Sequence, residues 1–130
     1  MLRRLLTSNA QRRAWSREHN LTWAGMMEPT ESGLNRFQVM CESALVAALR
    51  NSGGSLADRE VLGVKERHVK ARVVGTPWTL WIYPNGAELS SDGAALVRLE
   101  EWDARTPDDF VASFVSRVLE GMRKQGDGPV

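Results

Sequence analysis

The chain has 130 residues, of which 42% are hydrophobic and 25% charged, a composition typical of one globular domain over residues 1–130. Its net charge of +1 is low for a nucleic-acid-binding protein, and no apolar run approaches the ~20 residues that a membrane-spanning helix requires. The only cysteine, Cys41, excludes an internal disulfide and suits a reducing compartment, so we expect a cytoplasmic protein.

The N-terminal segment is basic, with five arginines before the first acidic residue. This composition is compatible with a transit peptide over residues 1–17. Ser8 and Gln11 have the spacing of a capping box, which favours instead a folded amphipathic helix from about Asn9 to His19. We expect this first helix to belong to the fold, with residues 1–7 at its periphery.

A second helix is predicted from Leu34 to about Asn51, with several possible caps just before it. Apolar residues recur at helical spacing over much of its circumference: Phe37, Met40, Cys41, Ala44, Leu45, Ala48 and Leu49. Gly53 follows where a left-handed residue commonly ends a helix. A helix so widely apolar should lie at the centre of the fold.

An antiparallel meander of three to five strands is predicted next. Residues 56–64 could form a short strand or a helical turn, whereas residues 68–73 alternate between apolar and basic side chains. Residues 78–83 are mostly β-branched or aromatic, and the Asn-Gly pair that follows Pro84 predicts a hairpin turn. A last strand is predicted over residues 94–102, with three side chains facing the core: Ala95, Val97 and Leu99.

A closing helix is predicted after Thr106, a capping residue followed by proline and two aspartates. Its apolar stripe comprises Phe110, Val111, Phe114, Val115, Val118, Leu119 and Met122. Residues 125–130 form a polar tail that we expect to be frayed. The fold class is therefore α+β: two N-terminal helices, the meander and a C-terminal helix, with helices packed on one face of the sheet.

The polar alternates of the two central strands are the candidate binding residues. His68, Lys70 and Arg72 come from one strand, and Trp81 and Tyr83 from the next, so all five should share the sheet face away from the helices. Basic groups beside aromatic rings are typical of single-stranded nucleic-acid surfaces, whereas exposed Trp and Tyr are enriched at protein-binding hot spots. The sequence also allows a plain solvent face, on which cationic stems cover the rings, or a face covered by the first helix.

Signatures of catalysis are missing from the sequence. The two histidines, His19 and His68, are far apart, and no cysteine–histidine pair has metal-ligand spacing. The acidic stretch over residues 100–109 could hold a divalent cation, but helix capping and solvation explain most of it. We therefore expect no cofactor and no metal site, and a metal-dependent hydrolase or nuclease is the least favoured function.

A small cytoplasmic, non-enzymatic protein-binding module is the favoured interpretation, its partner being another protein or a second copy of the chain. The helix–meander–helix order resembles that of small secretion chaperones and of the immunity proteins of bacterial toxin systems, a resemblance that implies a protein partner. The alternative is nucleic-acid binding through a basic strand, with Arg67 beside His68, Lys70 and Arg72.

Overall fold

The computed structural model describes residues 22–126 of the chain. In this range two helices pack against each other and on one face of a five-stranded antiparallel sheet, which confirms the predicted α+β class. The first helix predicted from Asn9 to His19, the transit-peptide alternative and the last four residues lie outside the described residues. We call the sheet face that the helices cover the inner face and the opposite one the outer face.

Helix α1 spans Arg36–Asn51 and begins at a capping box. The Asn35 side chain accepts a hydrogen bond from the Gln38 backbone N–H at 2.8 Å, and the Gln38 side chain accepts one from the Asn35 N–H at 2.9 Å. A 3-10 turn at Gly25–Met27 precedes the cap. Next to that turn, Trp23 packs its ring on Phe37 of α1, with centroids 5.1 Å apart.

The strands follow one another in space as they do in the chain, each antiparallel to its neighbour. The stretch that could have been a helical turn forms the first of them. The five strands are β1 (Leu56–Leu62), β2 (His68–Val73), β3 (Thr79–Tyr83), β4 (Gly86–Ser91) and β5 (Ala94–Glu100). Because no strand crosses over another, β3 lies at the centre of the sheet, and β1 and β5 are its edges.

Two of the hairpins have two-residue turns that use glycine differently. Between β4 and β5, Asp92 and Gly93 have φ of 52° and 80°, the paired left-handed conformation of a type I′ turn. Between β3 and β4 the turn is Pro84–Asn85, and Gly86 already pairs with Tyr83 as a strand residue. A Cβ at Gly86 would lie 2.8 Å from a carbonyl oxygen of β5, so glycine is needed here for close strand approach.

A bulge interrupts each edge strand. In β1 the register shifts between Ala57 and Glu60, and in β5 the unpaired residue is Leu96. The extra residue changes the alternation on its N-terminal side, so Ala95 pairs with Ser90 and is exposed. The prediction that Ala95 faces the core is therefore wrong, whereas the inward placement of the other two β5 residues is confirmed.

Helix α2 spans Pro107–Gly126, and Thr106 caps it by accepting a hydrogen bond from the Asp109 backbone N–H at 3.0 Å. A short 3-10 turn, Glu101–Asp103, connects it to β5. The predicted stripes of both helices meet the inner strand positions in one core. Its completely buried side chains include Phe37, Cys41, Leu45, Leu49, Val69, Val73, Leu80, Ile82, Phe110, Phe114 and Val118.

Candidate functional site: the outer face of the sheet

Strand register arranges the outer-face side chains in rows that run across all five strands. The central row combines alternating charges with one aromatic ring at its middle: Glu60, Lys70, Trp81, Glu88 and Arg98. A parallel row nearer the β3–β4 turn contains Leu62, His68, Tyr83, Gly86 and Glu100. The outer face is thus a mixed surface of rings and charges rather than an apolar one.

Three rings at the centre of this face form what we call the aromatic cluster: His68, Trp81 and Tyr83. Trp81 and Tyr83 are alternate residues of one strand, and their rings stack with centroids 6.4 Å apart and planes 3° apart. The His68 ring, from β2, lies 5.9 Å from Trp81 and 5.5 Å from Tyr83. Lys70 Nζ sits 5.3 Å from the Trp81 ring centroid, a cation–π contact. Four of the five predicted site residues therefore lie together, each half-buried.

Arg72, the fifth predicted residue, lies on the same face but is engaged elsewhere. Its Nε is 3.0 Å from the carboxylate of Asp58 at the β1 bulge. Arg67, which the nucleic-acid hypothesis included, lies further away, with Nη1 3.5 Å from the Ser32 carbonyl oxygen and its side chain against Gly33. The structure therefore does not extend the aromatic cluster into a continuous basic surface.

Acidic side chains of the outer face were missed by sequence reasoning. Glu60 and Glu88 flank the cluster from β1 and β4, and Arg98 lies next to Glu88 on β5. Glu88 had a signal in the sequence, since a two-residue turn at the predicted Asn85–Gly86 would pair it with Tyr83; the observed turn lies one residue earlier and pairs it with Trp81. The positions on the edge strands had no such signal, because bulges shift their register.

Burial and the charges of Glu88 and Arg98 affect the pKa of Tyr83. Burial raises the pKa of its phenol above the ordinary value, the Glu88 carboxylate raises it further, and Arg98 partly opposes them. The phenol therefore keeps its proton at neutral pH and can donate a hydrogen bond. Beside the ring a depression of about 280 Å³ opens, lined by Tyr83, Gly86, Glu88, Arg98 and Glu100 among others.

Polar contacts fix the geometry of the cluster from both sides of the sheet. On the outer face, Trp81 Nε1 donates a hydrogen bond to Ser90 Oγ at 3.2 Å, which orients the indole. On the inner face, the buried Gln38 amide donates to the carbonyl oxygens of Arg67 and Ile82 at 2.7 and 3.1 Å. Those carbonyls lie one residue from the two smaller rings of the cluster, so α1 holds the ends of β2 and β3 in place.

Two other groups that could carry chemistry, Cys41 and Asp103, have structural roles instead. Cys41 is buried, and burial, with a smaller effect of Glu42, raises the pKa of its thiol to about 12, so it is no nucleophile at neutral pH. Asp103, in the acidic stretch, accepts a hydrogen bond from the Glu100 backbone N–H at 2.7 Å. Among residues 22–126, no three His, Cys, Asp or Glu side chains are close enough together to hold a metal ion.

Comparison with protein-family models, with curated proteins and with solved structures found no match to this chain. Within the part of the chain described here, neither helix has the length and apolar character needed to cross a membrane.

Proposed function

We propose that the chain is a small protein-binding module that acts by binding rather than by catalysis, and that its binding surface is the outer face of the sheet. The observation that carries the proposal is the aromatic cluster. A stacked tryptophan and tyrosine, half-exposed at the centre of a face that neither described helix covers, are the residue types that dominate protein-binding hot spots.

The charges around the cluster favour a protein partner over a nucleic acid. Four carboxylates share the face with three permanent cations: Asp58, Glu60, Glu88 and Glu100 against Lys70, Arg72 and Arg98. Two of the cations already contact carboxylates, with Arg98 3.2 Å from Glu100. Phosphate binding depends on an excess of accessible cations, and this face has none.

The sheet edges are less suited to binding than the face. Strand addition requires a straight row of free backbone groups, and the bulges in β1 and β5 interrupt both edges. Side-chain recognition across the outer face therefore supports the proposal better than pairing of a peptide with an edge strand.

Substitution of Trp81 tests the proposal. The tagged full chain, Trp81→Ala and Val39→Ala would each be cross-linked in cells of the source organism and purified, and the captured proteins quantified. Val39 is an apolar side chain of α1 that is 38% exposed on the opposite layer, so it controls for loss of surface hydrophobicity. We expect Trp81→Ala to reduce capture at least tenfold and Val39→Ala to leave it unchanged.

Two results would contradict the proposal. One is equal capture by wild type and Trp81→Ala. The other is capture that disappears after nuclease treatment and weakens steeply with salt, as phosphate contacts require, which would assign the face to nucleic acid instead.

A further inference from the structure

We infer that the protein bound by the outer face is a second copy of this chain, packed face to face. The two-fold axis that relates the copies lies between the two sheets, runs parallel to β3 and passes over Trp81. This inference rests on the proposed function, because it uses the same surface. Its basis is the order of the charges in the central row.

A two-fold axis along β3 sets the β1–β2 half of one sheet against the β4–β5 half of the other. Each row stays at the same level along the strands. Trp81 then faces the partner's Trp81, and Lys70, one strand to one side, faces the partner's Glu88. Glu60, two strands out, faces the partner's Arg98 in the same way. Every charge of the central row thus meets its opposite, as an isologous interface requires of a single self-complementary surface.

The other two-fold axis in the plane of the face runs across the strands and has the reverse effect. It leaves every central-row residue opposite itself, so that Glu60 meets Glu60, Lys70 meets Lys70 and Glu88 meets Glu88. Opposed like charges are destabilising, so this arrangement is disfavoured. The charge order therefore selects one of the two simplest face-to-face dimers.

Shape supports the same axis independently. In the row nearer the β3–β4 turn, the axis along β3 brings His68 of one copy over Gly86 of the other. The depression of about 280 Å³ is lined by that glycine together with Tyr83 and Arg98, so the facing His68 lies over a recess rather than over a projecting side chain. A half-buried ring therefore faces a recess twice in each dimer.

The inner pair, Lys70 with the partner's Glu88, should contribute most to specificity. Both residues lie about one strand spacing, ~4.8 Å, from the axis, and packed sheets are about 10 Å apart, a gap that Lys and Glu can bridge. Sheet twist separates the corners of stacked sheets, which weakens the outer pair at about twice that distance from the axis. Within the described residues neither Lys70 nor Glu88 forms an ion pair, so both charges are available to a partner.

The size of the face predicts a weak dimer. Five strands about 4.8 Å apart and about six residues long cover about 24 Å by about 20 Å, or roughly 500 Å² per copy. Both copies together bury about 1,000 Å², near the lower limit for a specific interface. We expect a dissociation constant on the order of tens of micromolar.

A charge-swap experiment tests the dimer. Sedimentation velocity of the full chain from about 5 to about 500 µM should show wild type passing from monomer to dimer, since the expected dissociation constant lies in this range. Lys70→Glu and Glu88→Lys should each weaken dimerisation at least tenfold, because each sets like charges against each other twice. An equimolar mixture of the two variants should recover the dimer, because residue 70 of one then meets residue 88 of the other with opposite charge.

Arg117→Glu, the same kind of charge reversal on the exposed side of α2, is the control and should dimerise like wild type. The double variant Lys70→Glu/Glu88→Lys should form homodimers again, which also shows that the altered chains fold. A wild type that stays monomeric throughout, single variants that dimerise normally, or a mixture that stays monomeric would each overturn the inference. A monomeric wild type that still captures another protein through Trp81 would overturn only the dimer and leave the proposed function standing.

Discussion

Gln38 shows at the residue scale how a buried polar group can position a candidate binding surface from the opposite side of the sheet. It is 1% exposed within an apolar core, yet its amide oxygen completes the α1 capping box and its amide nitrogen donates to two strand carbonyls. The spacing Asn-x-x-Gln identifies a capping box in sequence, but the second role could not be predicted. It depends on where β2 and β3 lie relative to the helix start, which only the tertiary structure determines.

Replacement of Gln38 by methionine, a side chain of similar size, should therefore lower the stability of the fold. Gln38→Met leaves the carbonyl oxygens of Arg67 and Ile82 without their amide donor and removes half of the cap, so we expect a loss of about 2–4 kcal/mol in the free energy of unfolding. Urea denaturation gives the value, with Val39→Met on the exposed side of α1 as the control. A loss below about 0.5 kcal/mol, the usual range of surface substitutions, would show that the amide bonds contribute nothing net.

Cys41 gives a pH-dependent prediction. Burial raises the pKa of its thiol from 9.0 to about 12 in the folded protein, so between these values the unfolded chain binds fewer protons than the native one. The contribution of this thiol to the free energy of unfolding is fully present below pH 9. Above pH 9 it falls by about 1.4 kcal/mol per pH unit. Between pH 8 and pH 10, Cys41→Ala should lose about 1.4 kcal/mol less than wild type in denaturant titrations. Identical losses would mean that the native thiol ionises freely.

At the scale of a single element, the two faces of strand β3 lie in different environments. Leu80 and Ile82 are fully buried in the core, while Trp81 and Tyr83 are half-exposed on the outer face. This division was predictable, because alternation within β2 and the β-branched and aromatic content of β3 determine both the strands and their faces. The bulges were not, because the register shifts at Asp58 and Leu96 depend on pairing partners that local sequence does not specify.

Substitutions on the two faces should separate stability from binding. Phe114→Ala removes a fully buried ring of α2 and should cost ~3–5 kcal/mol, a large part of the ~5–15 kcal/mol typical of a domain. Trp81→Ala should cost about 1 kcal/mol through the lost ring stack and cation–π contact. Urea midpoints at low micromolar concentration, where the weak dimer is dissociated, compare the two. Equal losses of stability would place Trp81 in the core and contradict the proposed binding surface.

At the scale of the whole molecule, sequence patterns predicted the layers better than the site. The apolar stripes of α1 and α2 and the alternation in β2 were enough to predict the two-layer α+β fold and the face on which Trp81 lies. The charges of the central row around Trp81 could not be predicted from the sequence, because Glu60 and Arg98 join the row only through cross-strand register at the two edges. A candidate binding surface assembled from five strands is a property of the sheet rather than of any one segment.

The central claim is that the outer face binds protein, and a photo-cross-linker at position 81 tests it most directly. The full chain, with p-benzoylphenylalanine in place of Trp81, would be irradiated in cells of the source organism beside a control carrying the same group at Val39. We expect protein adducts from position 81 and few from position 39, including one of twice the chain's mass when a second copy occupies the face. Position 81 yielding no protein adduct, or only the adducts that position 39 yields, would contradict the claim.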